Sequence, residues 1–113
     1  MIRRPRVIIE SPFRGNSPED AARNLAYANA ALADSVRRGE NPYASHILLT
    51  SALDDADPDQ RALGIALGLE WAAVADFVAV YTDLGISDGM SAAMDRHASE
   101  GRRITLRRLP PPG

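Results

Sequence analysis

Apolar residues form two kinds of pattern along the chain, and each kind predicts a different element. Short runs that are apolar at consecutive positions predict strands buried on both faces, as in a parallel sheet. Such runs cover residues 6–10, 76–82 and 103–107, and we expect a further short strand around 43–46. Apolar positions three or four residues apart predict helices over about 18–38, 57–73 and 87–100. A helical start near Ile47 is an alternative to the second strand.

Capping residues and glycines mark where the predicted helices begin and end. Ser17 and Asp57 each precede a proline, and a capping side chain followed by proline is typical of a helix start. Ser87 has the same capping role before the last helix, and Gly39 offers the left-handed stop after the first. The elements therefore alternate strictly between strand and helix, beginning and ending with a strand. This order predicts an α/β domain with a mostly parallel sheet of about four strands and right-handed crossovers.

The helix predicted over 57–73 is apolar almost all the way round. Its large apolar residues are Leu63, Ile65, Leu67, Leu69, Trp71 and, just beyond it, Val74. A helix of this kind is expected to be buried on more than one side, by the sheet and by a partner subunit. We therefore expect a homo-oligomer.

Composition sets further limits on the protein. The 113 residues are expected to form a single domain, 1–113, with a core over 6–107 and an extended or disordered tail over 108–113. The net charge of −2 argues against nucleic acid or a membrane surface as a partner. Cysteine is absent, and all 13 basic residues are arginine, which excludes thiolate chemistry and a Schiff-base lysine. Without a signal peptide or a membrane-length apolar run, we expect a cytoplasmic protein.

Three loops at one edge of the predicted sheet carry the candidate chemistry. Ligands of an open parallel sheet bind beyond the carboxyl ends of its strands, where topology brings such loops together. The candidate residues in these loops are Glu10, Ser11, Phe13 and Arg14, then His46, and then Asp83, Ser87, Gly89 and Met90. We therefore expect a ligand-binding crevice at this edge.

Several of these residues also have a structural interpretation, which the sequence leaves open. Arg14 can clamp an anion while Phe13 stacks on a base, or Arg14 can be a solvated loop residue. Ser87 can cap a helix only, or its turn can hold a phosphate or sugar oxygen at the helix start. His46 can be a hydrogen-bonded structural residue. Asp83 ends a buried strand, where a turn alone needs no acid, so a functional carboxylate is expected there.

Other classes of site lack their signatures. His46 and His97 are too few for a metal site, and no ligand spacing supports one. Neither a Gly-x-Ser-x-Gly elbow nor a Gly-x-Gly-x-x-Gly fingerprint occurs. No metal and no cofactor is therefore expected.

The segments that carry the candidate residues resemble those of a known superfamily. The segments are Ser11-Pro12-Phe13-Arg14-Gly15, Ala44-Ser45-His46, Arg61-Ala62-Leu63-Gly64 and the run from Tyr81 to Met90. Together they resemble the nucleoside 2-deoxyribosyltransferase-like superfamily, and more closely an uncharacterised branch of it in phage and bacterial proteins. The resemblance implies a doubly wound, Rossmann-like (flavodoxin-like) domain of three layers. It also implies a nucleoside or nucleotide as the ligand.

The superfamily's chemistry implies roles for the carboxylates. A carboxylate attacks the anomeric carbon, and the glycosyl-enzyme is resolved by water or a second base. Asp83 matches the acid after the third strand, but no acid stands where active relatives carry the nucleophilic glutamate. Asp95 in a shifted register, or Glu10, can serve instead, or this branch does not perform the reaction. An N-glycosidase or transferase and a non-catalytic nucleotide-binding module are therefore both carried forward.

Overall fold

The computed structural model describes residues 3–49 and 52–111. Its four strands are β1 (Arg6–Glu10), β2 (Asn41–Tyr43), β3 (Phe77–Tyr81) and β4 (Ile104–Arg107). Its four helices are α1 (Pro18–Arg37), α2 (Ser45–Leu48), α3 (Pro58–Ala72) and α4 (Asp88–Ser99). The three predicted helices correspond to α1, α3 and α4, and each is confirmed to within one residue at both ends. The short α2 is an additional helix.

The sheet is parallel throughout, in the order β2-β1-β3-β4. This is the order of the first four strands of a flavodoxin-like sheet. The central strands β1 and β3 supply most of the core, and β3 is buried at every position, as its apolar run predicts. The predicted α/β class is therefore confirmed.

Helices cover both faces of the sheet and make a three-layer domain. On one face, Tyr27 and Ala31 of α1 pack against Val7 and Ile9 of β1. On the other face, Ala72 of α3 and Met90 of α4 pack against Ile8, Val78 and Val80. The chain thus moves to the opposite face between α1 and α3, which is the doubly wound arrangement.

The second strand was predicted in the wrong place. The structure puts β2 at Asn41–Tyr43, and Ser45 begins α2, so the strand expected around 43–46 is wrong for three of its four residues. Pro42 lies in the middle of β2, and proline is tolerated there because β2 is an edge strand. The alternative of a helical start is confirmed, although it begins at Ser45, two residues before Ile47.

The expected burial of the third helix is also wrong within this chain. Ala72 is the one residue of α3 that is buried. The side chains of Leu63, Ile65 and Trp71 are each about half exposed. Much of α3 instead lies beside α2 and the residues after it: Gly68 lies close to Ser45, and Gly64 lies close to the side chain of Leu53. The homo-oligomer inferred from this helix stays a prediction, which light scattering can test.

The caps read from the sequence form as expected. The side chains of Ser17, Asp57 and Ser87 each accept a backbone N–H in the first turn of α1, α3 and α4. Residues 108–111 form neither helix nor strand, and the remainder of the predicted tail, 112–113, lies outside the described residues. No helix in the described ranges has both the length and the apolar character to cross a membrane.

Candidate functional site

The sheet edge at which the sequence predicts a crevice is where the connections from β1 and β3 diverge. These strands are neighbours, yet β1 leads to α1 on one face and β3 leads to α4 on the other. Such a switch point opens a cleft beyond the strand ends. Glu10 is in register with Val80, and Asp83 lies two residues beyond the end of β3.

Asp83 is held by two donors at the end of β3. The Tyr27 hydroxyl donates to its Oδ1 at 2.5 Å, and the Leu109 backbone N–H donates to the same oxygen at 2.9 Å. The Tyr27 oxygen in turn accepts the Asp83 backbone N–H at 2.8 Å. The hydrogen bond from Tyr27 is the main cause that lowers the pKa of Asp83. Asp83 is therefore an ionised, exposed acceptor near neutral pH.

Ser11, in the loop after β1, meets His46 of α2. Ser11 Oγ lies 2.9 Å from His46 Nε2, and Ser11 is almost completely buried. The ring of Phe13 packs edge-on against the imidazole, with centroids 5.8 Å apart. Burial lowers the pKa of His46, while the nearby Glu10 carboxylate opposes that shift. His46 is thus a neutral imidazole near pH 7, hydrogen-bonded to the first loop.

Glu10 is bound by a histidine that the site prediction left out. Its Oε1 lies 3.2 Å from Nε2 of His97 on α4. His97 is 3% exposed, and its Nδ1 receives the Nε–H of Arg102 at 2.9 Å. Both histidines of the chain therefore approach the same carboxylate.

Arg14 lies at the edge of a cavity of about 350 Å³ between the first loop and α3. Two guanidinium N–H groups of Arg14 donate to the same oxygen, Oδ2 of Asp55, and Arg61 and Ile65 also line the cavity. Neither Glu10 nor Asp83 lines this cavity, so it does not enclose the strand-end carboxylates. A cavity of this size suits part of a small organic ligand.

The loop that carries Arg14 is fastened to α1. The Asn24 amide donates to the carbonyls of Phe13 and Arg14. Gly15 lies so close to the first turn of α1 that a Cβ there would come within 2.2 Å of the Asp20 Cβ. The glycine of the Ser-Pro-Phe-Arg-Gly segment is therefore required by packing, and it holds Phe13 and Arg14 at the crevice.

The start of α4 carries the remaining predicted residues. Ser87 Oγ accepts the Met90 backbone N–H at 3.2 Å, and the Met90 side chain is buried in the core. Open space surrounds the Gly89 Cα, where an added Cβ would come no nearer than 4.0 Å to Ser87. Asp95 is exposed and lies about 140° round the helix from Met90, on the side away from the sheet.

The structure thus brings some predicted residues together and separates others. Glu10, Ser11, Phe13 and His46 form one group, while Asp83 stands at the end of the neighbouring strand with Tyr27. Asp95 lies apart from both. His97 could have been found from the sequence because it follows Met90 by seven residues, the spacing that returns a side chain to the same helix face.

Among the His, Asp and Glu residues that the structure describes, no group of three or more could hold a metal ion.

A solved 2-deoxyribosyltransferase from the psychrotolerant bacterium Bacillus psychrosaccharolyticus has a similar structure. The TM-score is 0.59 at 19% sequence identity, and the match covers 91% of this chain and 72% of that protein. That protein is described as a biocatalyst for the synthesis of nucleosides. At this identity the likeness establishes a shared fold. No curated protein matches the sequence.

The sequence itself matches a family model over nearly its whole length, from residue 5 to residue 107. The chain therefore belongs to the family described as a domain of unknown function, DUF7768.

Proposed function

We propose that the chain cleaves or exchanges the N-glycosidic bond of a nucleoside or nucleotide. The observation that carries the proposal is the position of two carboxylates, Glu10 and Asp83, at the ends of adjacent strands beside the switch point. The shared fold with a 2-deoxyribosyltransferase supports it. Within the nucleoside 2-deoxyribosyltransferase-like superfamily, we propose that the chain belongs to the uncharacterised branch of phage and bacterial proteins.

Glu10 is the proposed nucleophile. One of its oxygens is bound to His97, and its side chain is 20% exposed, so the second oxygen remains for the sugar. That oxygen attacks the anomeric carbon as the bond to the base breaks, and the base leaves with the bonding electron pair and takes a proton from water. Water or a second base then attacks the same carbon and releases Glu10. Asp95 faces away from the sheet and is the weaker alternative.

Asp83 is the proposed substrate-orienting group. Its lowered pKa keeps it ionised, so it accepts hydrogen bonds and does not donate a proton to the leaving base. Its free oxygen suits a sugar hydroxyl or a base N–H as a donor. The Phe13 ring supplies an apolar surface, and the cavity lined by Arg14 and Arg61 offers space and arginine donors for the rest of the ligand.

A non-catalytic binding module is the second candidate function. It is favoured by the sequence of α4, which has no acid between Asp88 and Asp95 and therefore none where active relatives carry the nucleophilic glutamate. A ligand would then bind at the same crevice and stabilise the fold by mass action, without being converted.

The experiment is incubation with a panel of nucleosides and nucleotides, with and without free base, followed by chromatography with mass detection. Released or exchanged base that disappears in both Glu10→Gln and Asp83→Asn supports the proposal. Asp95→Asn is the matched control, because it makes the same acid-to-amide change on an exposed face, and it should retain activity. Loss of conversion in Asp95→Asn with activity kept in Glu10→Gln would assign the nucleophile to Asp95 instead.

A panel without conversion overturns the enzymatic proposal. Thermal stabilisation by one of the same compounds would then support the binding module. If no compound shifts the melting temperature either, both functions are refuted.

A further inference from the structure

His97 is a buried titratable residue that the proposed reaction does not use directly. It is 3% exposed, and yet it touches the carboxylate of Glu10 at the crevice edge. Burying an imidazole is costly unless its ring nitrogens find partners, and here both of them do.

The partners of His97 fix which nitrogen carries its proton. An arginine guanidinium can only donate, so Nδ1, which receives the Arg102 Nε–H, must present a lone pair. The ring proton is then on Nε2, directed at Oε1 of Glu10. His97 thus accepts at Nδ1 and donates from Nε2, as in histidines oriented by a second residue.

Arg102 is itself held in place by the chain reversal that ends α4. Gly101 has a φ of +81°, which side-chain-bearing residues rarely adopt, and this turn lets the Arg102 backbone N–H donate to the His97 carbonyl at 3.0 Å. The guanidinium also pairs with Glu100 and is 12% exposed. The orientation of His97 is therefore set by a well-anchored residue.

We propose that His97 is a positioning residue for Glu10, and that Arg102 sets its tautomer. The Nε2–H holds one carboxylate oxygen, which leaves the other oxygen as the nucleophile for the sugar. This inference rests on the proposed function. The charged or titratable groups close to Glu10 in this arrangement are His97 from α4, Arg102 beyond it and His46 from α2.

The kinetic test compares His97→Leu with His97→Gln on whichever nucleoside or nucleotide the wild type converts. His97→Leu removes the donor, so kcat should fall by about tenfold to a hundredfold with little change in KM. His97→Gln keeps an N–H at a similar reach and should recover much of the rate. A merely structural role would give neither this selective loss of kcat nor its recovery in His97→Gln.

A measurement independent of turnover keeps the proposal testable if a variant fails to fold. Long-range ¹H–¹⁵N spectra of the wild type at neutral pH should show the His97 proton on Nε2. A proton on Nδ1 overturns the inference whatever the activity. If the wild type converts a substrate and a folded His97→Leu variant is equally active, the inference is overturned but the proposed function is left intact. A wild type that converts no substrate overturns the proposed function and the inference together.

Discussion

Replacing Tyr27 by phenylalanine tests how the end of β3 is held. The Tyr27 ring is 8% exposed and would still fill its place in the core, so the change removes the hydroxyl alone. Two hydrogen bonds are lost with it: the donation to Asp83 Oδ1 at 2.5 Å and the acceptance of the Asp83 N–H at 2.8 Å. The first is short, as expected when the acceptor is charged.

The expected cost follows from that geometry. A hydrogen bond to a charged group contributes about 1.5–3 kcal/mol, and the exposure of Asp83 lets water replace part of it, so we expect about 1–2 kcal/mol. For a chain of this size the melting temperature should fall by roughly 4–8 °C. Urea denaturation followed by circular dichroism measures the free energy of unfolding directly. Tyr43→Phe is the matched control, because its hydroxyl makes no hydrogen bond to the residues that the structure describes, and it should cost less than about 0.5 kcal/mol.

The pH dependence separates this mechanism from simple loss of packing. The pKa of Asp83 is lowered in the folded protein, chiefly by Tyr27, so the stabilisation is present above about pH 4 and is lost as the pH falls. The deficit of Tyr27→Phe should therefore be largest at pH 7 and should shrink at pH 3.5. A deficit that is equal at both pH values, or equal to that of the Tyr43→Phe control, would refute the reasoning.

Three further changes have expected outcomes on stability. Arg107→Met leaves the Glu40 carboxylate, whose side chain is 9% exposed, without its bidentate partner. The free energy of unfolding, measured by urea denaturation, should fall by about 3–5 kcal/mol, and adding Glu40→Gln should recover part of the loss. In Asp76→Asn the free energy of unfolding should depend less on pH below about pH 4, because Arg3 lowers the pKa of Asp76 to about 2 in the wild type. The same pH dependence in variant and wild type would contradict this. Gly15→Ala forces a Cβ into the first turn of α1 and should cost about 1–3 kcal/mol, seen as a lower melting temperature.

The parts of the fold that could be predicted are those set by local sequence. The run at residues 6–10 and the capping residues Ser17, Asp57 and Ser87 determine their own elements, and the structure has them where they were expected. The region around Tyr43 depends on tertiary contacts instead. Its strand pairs with β1 at the sheet edge, and the following residues turn into α2, where His46 bonds to Ser11.

The candidate site was predictable in position but incomplete in its residues. Element order alone predicts that Glu10 and the loop of Asp83 lie at the same edge of the sheet, whereas the adjacency of β1 and β3 is known only from the structure. The partners of those carboxylates could not be found in the same way. Tyr27 reaches Asp83 across 56 positions of sequence, and His97 reaches Glu10 across 87, so only the folded chain brings them together.

The two outer strands of the sheet have unequal capacity to accept another strand. Pro42 at the centre of β2 has no N–H to donate, so a further strand could not pair regularly on that side. On the opposite side, β4 pairs only with β3 within residues 3–49 and 52–111, and Leu106 is 60% exposed beside that edge. The N–H and C=O groups on the outer side of β4 form a template for an added strand. Extension of the sheet, whether by a bound peptide or in the first step of aggregation, would therefore proceed in one direction, from β4, and a charged residue in place of Leu106 would oppose it.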